Sequence, residues 1–243
     1  MRPSILPLAC VASLLLSGCA SYVTPGRKAD LALFTDHQIR AAYEAKPSAR
    51  FPASIVSVRV QAPGYSNYHL KRFGGIYGTG RYSIVTAREV EEQSHFDRIM
   101  KLPEVGGIIG LNALLLPATL TSELEIRQAA ARLQADLIFL YTFETSYFND
   151  DWSKALNVIS LGLSPTRKVN VSATVSALLM DARTGFLYGA VEATERRTER
   201  SNAWESRETA DRSRRDAEKT AFGKIVGELE KVWPSILARY HKP

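Results

Sequence analysis

Side chains able to do chemistry are sparse in this chain. The four histidines, His37, His69, His95 and His241, are scattered. None stands in an H-E-x-x-H or other paired ligand spacing, the arrangement that brings two imidazoles onto one face around a metal. Gly162-Leu163-Ser164-Pro165 comes nearest to a G-x-S-x-G nucleophile elbow and lacks its closing glycine. Asp150-Asp151 sets two carboxylates side by side, but no EF-hand loop follows, so the pair reads as a turn before Trp152. The glycines between 74 and 80 fit neither GxxxxGK[ST] nor GxGxxG. These patterns predict no catalytic residue, no cofactor and no metal ligand. The chain is therefore read as a non-enzyme, with a periplasmic hydrolase whose distant residues converge in space as a second alternative.

The two cysteines, Cys10 and Cys19, both lie near the start, so everything beyond Cys19 is free of thiols and disulfides. Met1-Arg2 makes a short positive start, and residues 5–16 form an almost purely apolar run. That run is shorter than the roughly 20 residues of a spanning helix and has the length of a signal-peptide core. It leads into Leu16-Ser17-Gly18-Cys19-Ala20-Ser21, which resembles the lipobox of bacterial lipoproteins. Small residues before the cysteine let a peptidase approach the backbone, and the thiol carries a diacylglyceryl thioether. The resemblance implies cleavage before Cys19, a further acyl chain such as palmitate on the new amino group, and attachment to a membrane through Cys19. Each buried methylene contributes roughly 0.8 kcal/mol, so two or three chains anchor almost permanently. Ala20 stands where inner-membrane lipoproteins commonly carry Asp, which implies the periplasmic face of the outer membrane. The expected organisation is a leader over residues 1–18, a lipidated flexible linker over 19–28 and a single domain over 29–243.

The chain of 243 residues carries 31 Lys plus Arg against 25 Asp plus Glu, a formal charge of +6. The densest stretch, residues 192–219, matches Arg196, Arg197, Arg200, Arg207, Arg212, Arg214, Arg215 and Lys219 with as many acids. A nucleic-acid stripe would be one-signed. This stretch is read instead as a solvated, salt-laced face, and no nucleic-acid partner is expected. A hydrophobic fraction of 45% supports a packed core, and a mean hydropathy of −0.13 excludes a polytopic helical membrane protein.

Periodicity supplies the elements. Helical spacing is expected over 29–45, ended by Pro47. Residues 51–61 alternate, with Val56, Val58 and Val60 on one side and Ser57, Arg59 and Gln61 on the other, as in a half-buried strand. Residues 65–81 read as a loop rich in Tyr and Gly, 82–86 as a short strand and 87–100 as a helix. Residues 105–120 read as a buried loop plus strand. Ser122-x-x-Glu125 is a capping box opening a helix whose stripe is Leu124, Ile126, Ala129, Ala130 and Leu133. Residues 137–143 form a nearly continuous apolar strand, expected to be covered on both faces. Residues 152–163 are amphipathic, 169–179 alternate cleanly, residues 181–185 turn at Gly185, and 186–194 return. A long helix over 205–240 buries Ala210, Ala217, Ala221, Ile225, Leu229, Val232 and Trp233, with Pro234 permitting a kink or new start. The expectation is an α/β protein with α+β layering, in which helices pack on a small mixed sheet and a long helix closes the chain.

Two further motifs carry a resemblance. Ala135-Asp136-Leu137 empties a helix into a buried strand, and Asp181-Ala182-Arg183-Thr184-Gly185 turns one strand into its partner. An "ADL" strand start and a "D-x-x-TG" hairpin recur in the periplasmic domain shared by the curli secretion-channel lipoprotein, the lipoprotein activators of peptidoglycan synthases and the N-terminal domain of the Tol-system propeller protein. The resemblance spans about residues 51–233. It implies a small α/β domain that binds other envelope proteins and has no catalytic residues to carry over. It departs from the channel family in lacking two obvious spanning hairpins.

The functional expectation is a lipid-anchored binding or scaffolding module of the cell envelope whose partners are envelope proteins or peptidoglycan machinery, with homo-oligomers allowed. Tyr65, Tyr68, Tyr77, Tyr82 and Trp152 are the candidate partner surface, because tyrosine and tryptophan supply contact area at little entropic cost. The first alternative is a protomer of an oligomeric secretion channel, with residues 152–176 entering the membrane.

Overall fold

The structure is a computed structural model that describes residues 26, 28, 29, 31, 43–151, 167–201 and 206–241. The leader, Cys19, Trp152, the amphipathic segment 152–163 and most of the helix expected over 29–45 lie outside the described residues.

Alternating and β-branched runs form the strands. β1 (Ala53–Gln61) lies at the centre of a seven-stranded mixed sheet. β2 (Ile76–Tyr77), β4 (Ser83–Val85) and β5 (Val105–Gly110) lie on one side of it. β7 (Leu137–Asp151), β8 (Arg167–Asp181) and β9 (Leu187–Ser201) follow in order on the other. β1 runs parallel to β5 and β7 and antiparallel to β4. β7, β8 and β9 form an antiparallel ladder; β7 and β8 keep unbroken register from Leu137↔Asp181 to Asp151↔Arg167, while β8 and β9 shift register once, between Leu179 and Met180. A small second sheet joins β3 (Thr79–Gly80) to β6 (Thr119–Leu120).

The period of two along each strand separates two cores. One face carries Ile55, Phe139, Tyr141, Phe143, Val171, Ala173 and Val175. It is covered by Phe96 and Ile99 of α2 (Gln93–Met100) and by Ala217, Ala221, Phe222, Ile225 and Leu229 of α4 (Ser206–Tyr240). The other face carries Val56, Val58, Val60, Ile138 and Leu140. These meet Ile126, Ala129 and Ala130 of α3 (Leu124–Arg132), together with Tyr82, Ile84 and Leu120. The chain is thus an α/β protein with a mixed sheet and a long C-terminal helix. α4 continues through Pro234 without a break in its assignment.

Several local expectations change in the structure. The loop over 65–81 contains α1 (Tyr68–Phe73) as well as β2 and β3, because Asn67 caps α1 by accepting from Leu70 N–H at 2.7 Å. The helix expected over 87–100 begins only at Gln93. β1 is buried on both faces, with Arg59 and Gln61 as enclosed as the valines. Leu124 is exposed, so the stripe of α3 starts at Ile126. The box at Ser122 forms in part: Glu125 accepts from Ser122 N–H at 2.9 Å, while Ser122 Oγ accepts from Leu124 N–H at 3.2 Å.

Candidate functional site

Gly26 and Lys28, at the end of the expected linker, and Ala29, at the start of the expected domain, are bound to the body. Gly26 N–H donates to Ser66 O at 3.3 Å. Ala29 is buried, and its N–H donates to Thr142 Oγ1 at 3.1 Å. Lys28 pairs with Glu144 at 3.4 Å. Thr142 and Glu144 are even positions of β7, on the face opposite α4. Gly26 lies seven Cα–Cα steps beyond Cys19, with six residues between them. A fully extended chain of that length spans about 25 Å. An acyl anchor at Cys19 would therefore hold the Gly26–Ser66 contact within about 25 Å of its bilayer.

The tyrosines of the expected partner surface are mostly structural. Tyr65 is 3% exposed, and its hydroxyl accepts from Arg59 Nη2 at 3.1 Å and from Asn67 Nδ2 at 3.2 Å. Burial pushes that hydroxyl above its ordinary pKa, against the pull of Arg59. Tyr82 is fully buried and donates to Ser122 O at 2.8 Å. Neither ring offers surface to a partner. Tyr77 is half-buried and donates to Leu116 O at 2.9 Å, which ties β2 to the segment before β6. Tyr68 is half-buried at the start of α1. The exposed ring of this region is Phe73, at 67%, flanked by the His69 ring at 4.7 Å and the Arg72 guanidinium at 5.4 Å. Ile76 lies nearby in sequence and is also exposed. The glycines here serve close approach: a Cβ on Gly80, whose φ is +115°, would stand 2.3 Å from Leu120 O.

Behind this loop lies an ionic network that sequence reading missed. Arg59 pairs with Glu91 at 3.3 Å, and Tyr141 OH donates to the same Glu91 oxygen at 3.3 Å. Asn67 Nδ2 donates to Glu89 at 3.0 Å, and Glu89 in turn pairs with Arg214. Arg214 also donates to Glu218 at 2.7 Å and Asp211 at 2.9 Å, and Thr145 Oγ1 donates to Glu218 at 2.7 Å. The side chains of Arg59, Glu91, Glu89, Arg214 and Glu218 are each at most 2% exposed. Burial alone would lower both guanidinium pKa values, but Glu91 on Arg59 and Glu218 on Arg214 raise them above the ordinary arginine value. Asp211, Arg214 and Glu218 thus correct the reading of residues 192–219 as a solvated face. They recur three and four residues apart, the helical spacing that aims them together at the sheet. That spacing was the available signal; equal numbers of acids and bases concealed it.

Arg59 and Glu91 also line a cavity of about 40 Å³ with Arg88 and Tyr141. It is far smaller than the several hundred Å³ of a pocket for an organic ligand. A wider cleft of about 560 Å³ lies between residues 47–51 and the end of α4, with Arg50, Phe51, Arg239 and Tyr240 in its walls. His95 is buried against Phe222, and its Nδ1 accepts from Glu92 N–H at 3.2 Å. His69 and His241 contact Phe73 and Phe51, and His37 lies outside the described residues. Among the described residues no group of His, Cys, Asp or Glu is placed to hold a metal ion, and no helix is long and apolar enough to cross a membrane.

The architecture defines the class: an α/β domain with a three-stranded antiparallel arm and a long C-terminal helix across one face of it. No protein-family model matches the chain, and no curated protein matches it.

Proposed function

We propose that this chain is a lipid-anchored cell-envelope protein that serves as a periplasmic binding or scaffolding module, held through acyl chains on Cys19 at the periplasmic face of the outer membrane. One observation carries the reading: a lipobox ends seven residues before Gly26, where the backbone is already bound to the body. A leash this short keeps the working surface in a thin layer beside the bilayer. Partners would be envelope proteins or peptidoglycan machinery. Phe73, Arg72 and Ile76 provide the contact surface, in place of the buried Tyr65 and Tyr82.

The alternative of a secretion-channel protomer needs residues 152–176 in the membrane. Within that span the apolar positions Val171, Ala173 and Val175 pack into the core under α4, which favours the scaffolding role. The test is metabolic labelling with a fatty-acid probe, followed by fractionation. Wild type takes up label and sediments with membranes, and Cys19→Ala loses both. Equal labelling of the two would remove the anchor and the compartment with it.

A further inference from the structure

The ladder of β7, β8 and β9 ends on a long edge. β9 spans 15 residues, contains no proline, and keeps unbroken register with β8 from Gly189 to Ser201. Among the described residues it pairs with no strand but β8. Its even positions are bound side chain to side chain across β8: Thr194 to Thr174 at 2.8 Å, Glu192 to Ser176 at 2.7 Å and Thr198 to Asn170 at 2.7 Å. Such close facing pairs mark non-hydrogen-bonded positions, whose own N–H and C=O groups point away from the partner strand. Consistent with this, Thr194 O is reached at 3.2 Å by Lys224 Nζ of α4, which also pairs with Glu195. The outer edge thus presents the backbone groups of Glu192, Thr194, Arg196 and Thr198, a template for a further strand.

We infer that this edge is a self-association surface on which β9 of a second copy adds antiparallel about a two-fold axis at Thr194. The charge pattern selects the occupant and the register. Centring on Thr194 sets Glu192 opposite Arg196 of the second copy, and the symmetry repeats that pair. No like charges then stand opposite each other. A centre at Glu195, Arg196 or Arg197 would instead put that charge against its own copy. The even positions, whose backbone groups face outward, become the hydrogen-bonded pairs of the new ladder, as the geometry requires. Lys224 keeps Glu195 and yields Thr194 O to the incoming N–H.

Helix α4 leaves room for this arrangement. It packs on both β8 and β9. Strands lie about 4.8 Å apart, so a helix over the β8–β9 line stands about 5 Å from the axis. Two copies of α4 would then run about 10 Å apart, close to the 8–10 Å of packed helices. The inference is independent of the lipid anchor, since β9 is far from residue 19 in sequence and pairs within the body.

The experiment is sedimentation equilibrium of the full chain in detergent, with Cys19→Ala run in parallel. Wild type and Cys19→Ala should both dimerise. Glu192→Arg and Arg196→Glu each turn two attractive cross-strand pairs into repulsive ones, which should weaken the dimer about tenfold or more. The combined Glu192→Arg/Arg196→Glu chain should recover the wild-type mass. Both side chains are exposed, so a far-ultraviolet circular dichroism spectrum like that of wild type and a cooperative melt show that each variant folds. Amide exchange at Glu192, Thr194, Arg196 and Thr198 should be slow in the dimer and fast in either single variant. A monomer at every concentration overturns the inference, as does an assembly of any size that ignores the single reversals or is not restored by the double one.

Discussion

Asp136 and Asp181 close the same end of neighbouring strands and share one arginine. Arg183 donates from Nη1 to Asp136 Oδ1 at 2.9 Å and from its backbone N–H to Asp181 Oδ1 at 2.9 Å. Ala182 N–H donates to Asp136 O at 3.0 Å, which completes the join. Each carboxylate also holds an incoming chain: Asp136 accepts from Ser54 N–H at 3.1 Å, and Asp181 from Ser48 N–H at 2.7 Å and Tyr188 OH at 3.0 Å. The acids of the "ADL" and "D-x-x-TG" motifs are therefore fasteners for the start of β1 and the β8–β9 turn.

Burial alone would raise both carboxyl pKa values. Hydrogen bonds from Arg183 and Ser54 to Asp136, and from Thr184 and Ser48 to Asp181, outweigh it and hold both below the ordinary 3.8. A depressed folded pKa gives stability that is present above the unfolded value of about 4 and lost as pH falls through the folded one. Acid unfolding below about pH 4 should thus owe part of its slope to these two groups. Asp181→Ala should cost about 2–4 kcal/mol, because it leaves buried N–H groups unpaired, and should flatten that slope. Urea titrations at pH 7 and pH 3 check both; an unaltered slope would remove Asp181 from this account.

Adjacent arginines on α4 should behave very differently. Arg214→Met strands Glu89 and Glu218 in the core, an expected loss of about 3–5 kcal/mol. Arg215 pairs with Asp211 at 3.2 Å but is 47% exposed, so Arg215→Met should cost about 0–1 kcal/mol. Thermal melts of the two variants compare them directly; equal losses would mean that the network is not enclosed as described.

Buried His95 predicts a second pH dependence. Desolvation lowers its pKa from 6.5 despite opposing help from Glu92. The unfolded chain binds the proton first, so stability should decline as pH drops below about 6.5 and level off under the folded value. His95→Gln should lose that segment of the curve. A proton NMR titration of His95 with its midpoint above 6.5 would contradict the sign.

Tyr65 and Phe73 separate scaffold from surface. Tyr65→Phe removes the acceptor of Arg59 and Asn67 and should cost about 1–3 kcal/mol. Phe73→Ala should change stability by about 0.5 kcal/mol or less, yet weaken capture of an envelope partner in cross-linking from intact cells. Undiminished cross-linking by Phe73→Ala would move the contact surface elsewhere.

Local pattern determined much of this protein. The alternation of residues 53–61 and 169–179, the apolar run from Leu137, the turn at Gly185 with φ +74° and the stripe of α4 are all read from spacing, since strand and helix periods are properties of a few consecutive residues. The likeness of residues 16–21 to a lipobox is equally local. Tertiary structure alone decided which polar groups are enclosed. Arg59 looks like the wet side of a strand until Glu91 and Tyr65 enclose it, and Arg214 looks like one charge among many until Glu89 arrives from the segment before α2. Solvation of a charge depends on neighbours brought together from distant parts of the chain, and the period of its own element does not encode them.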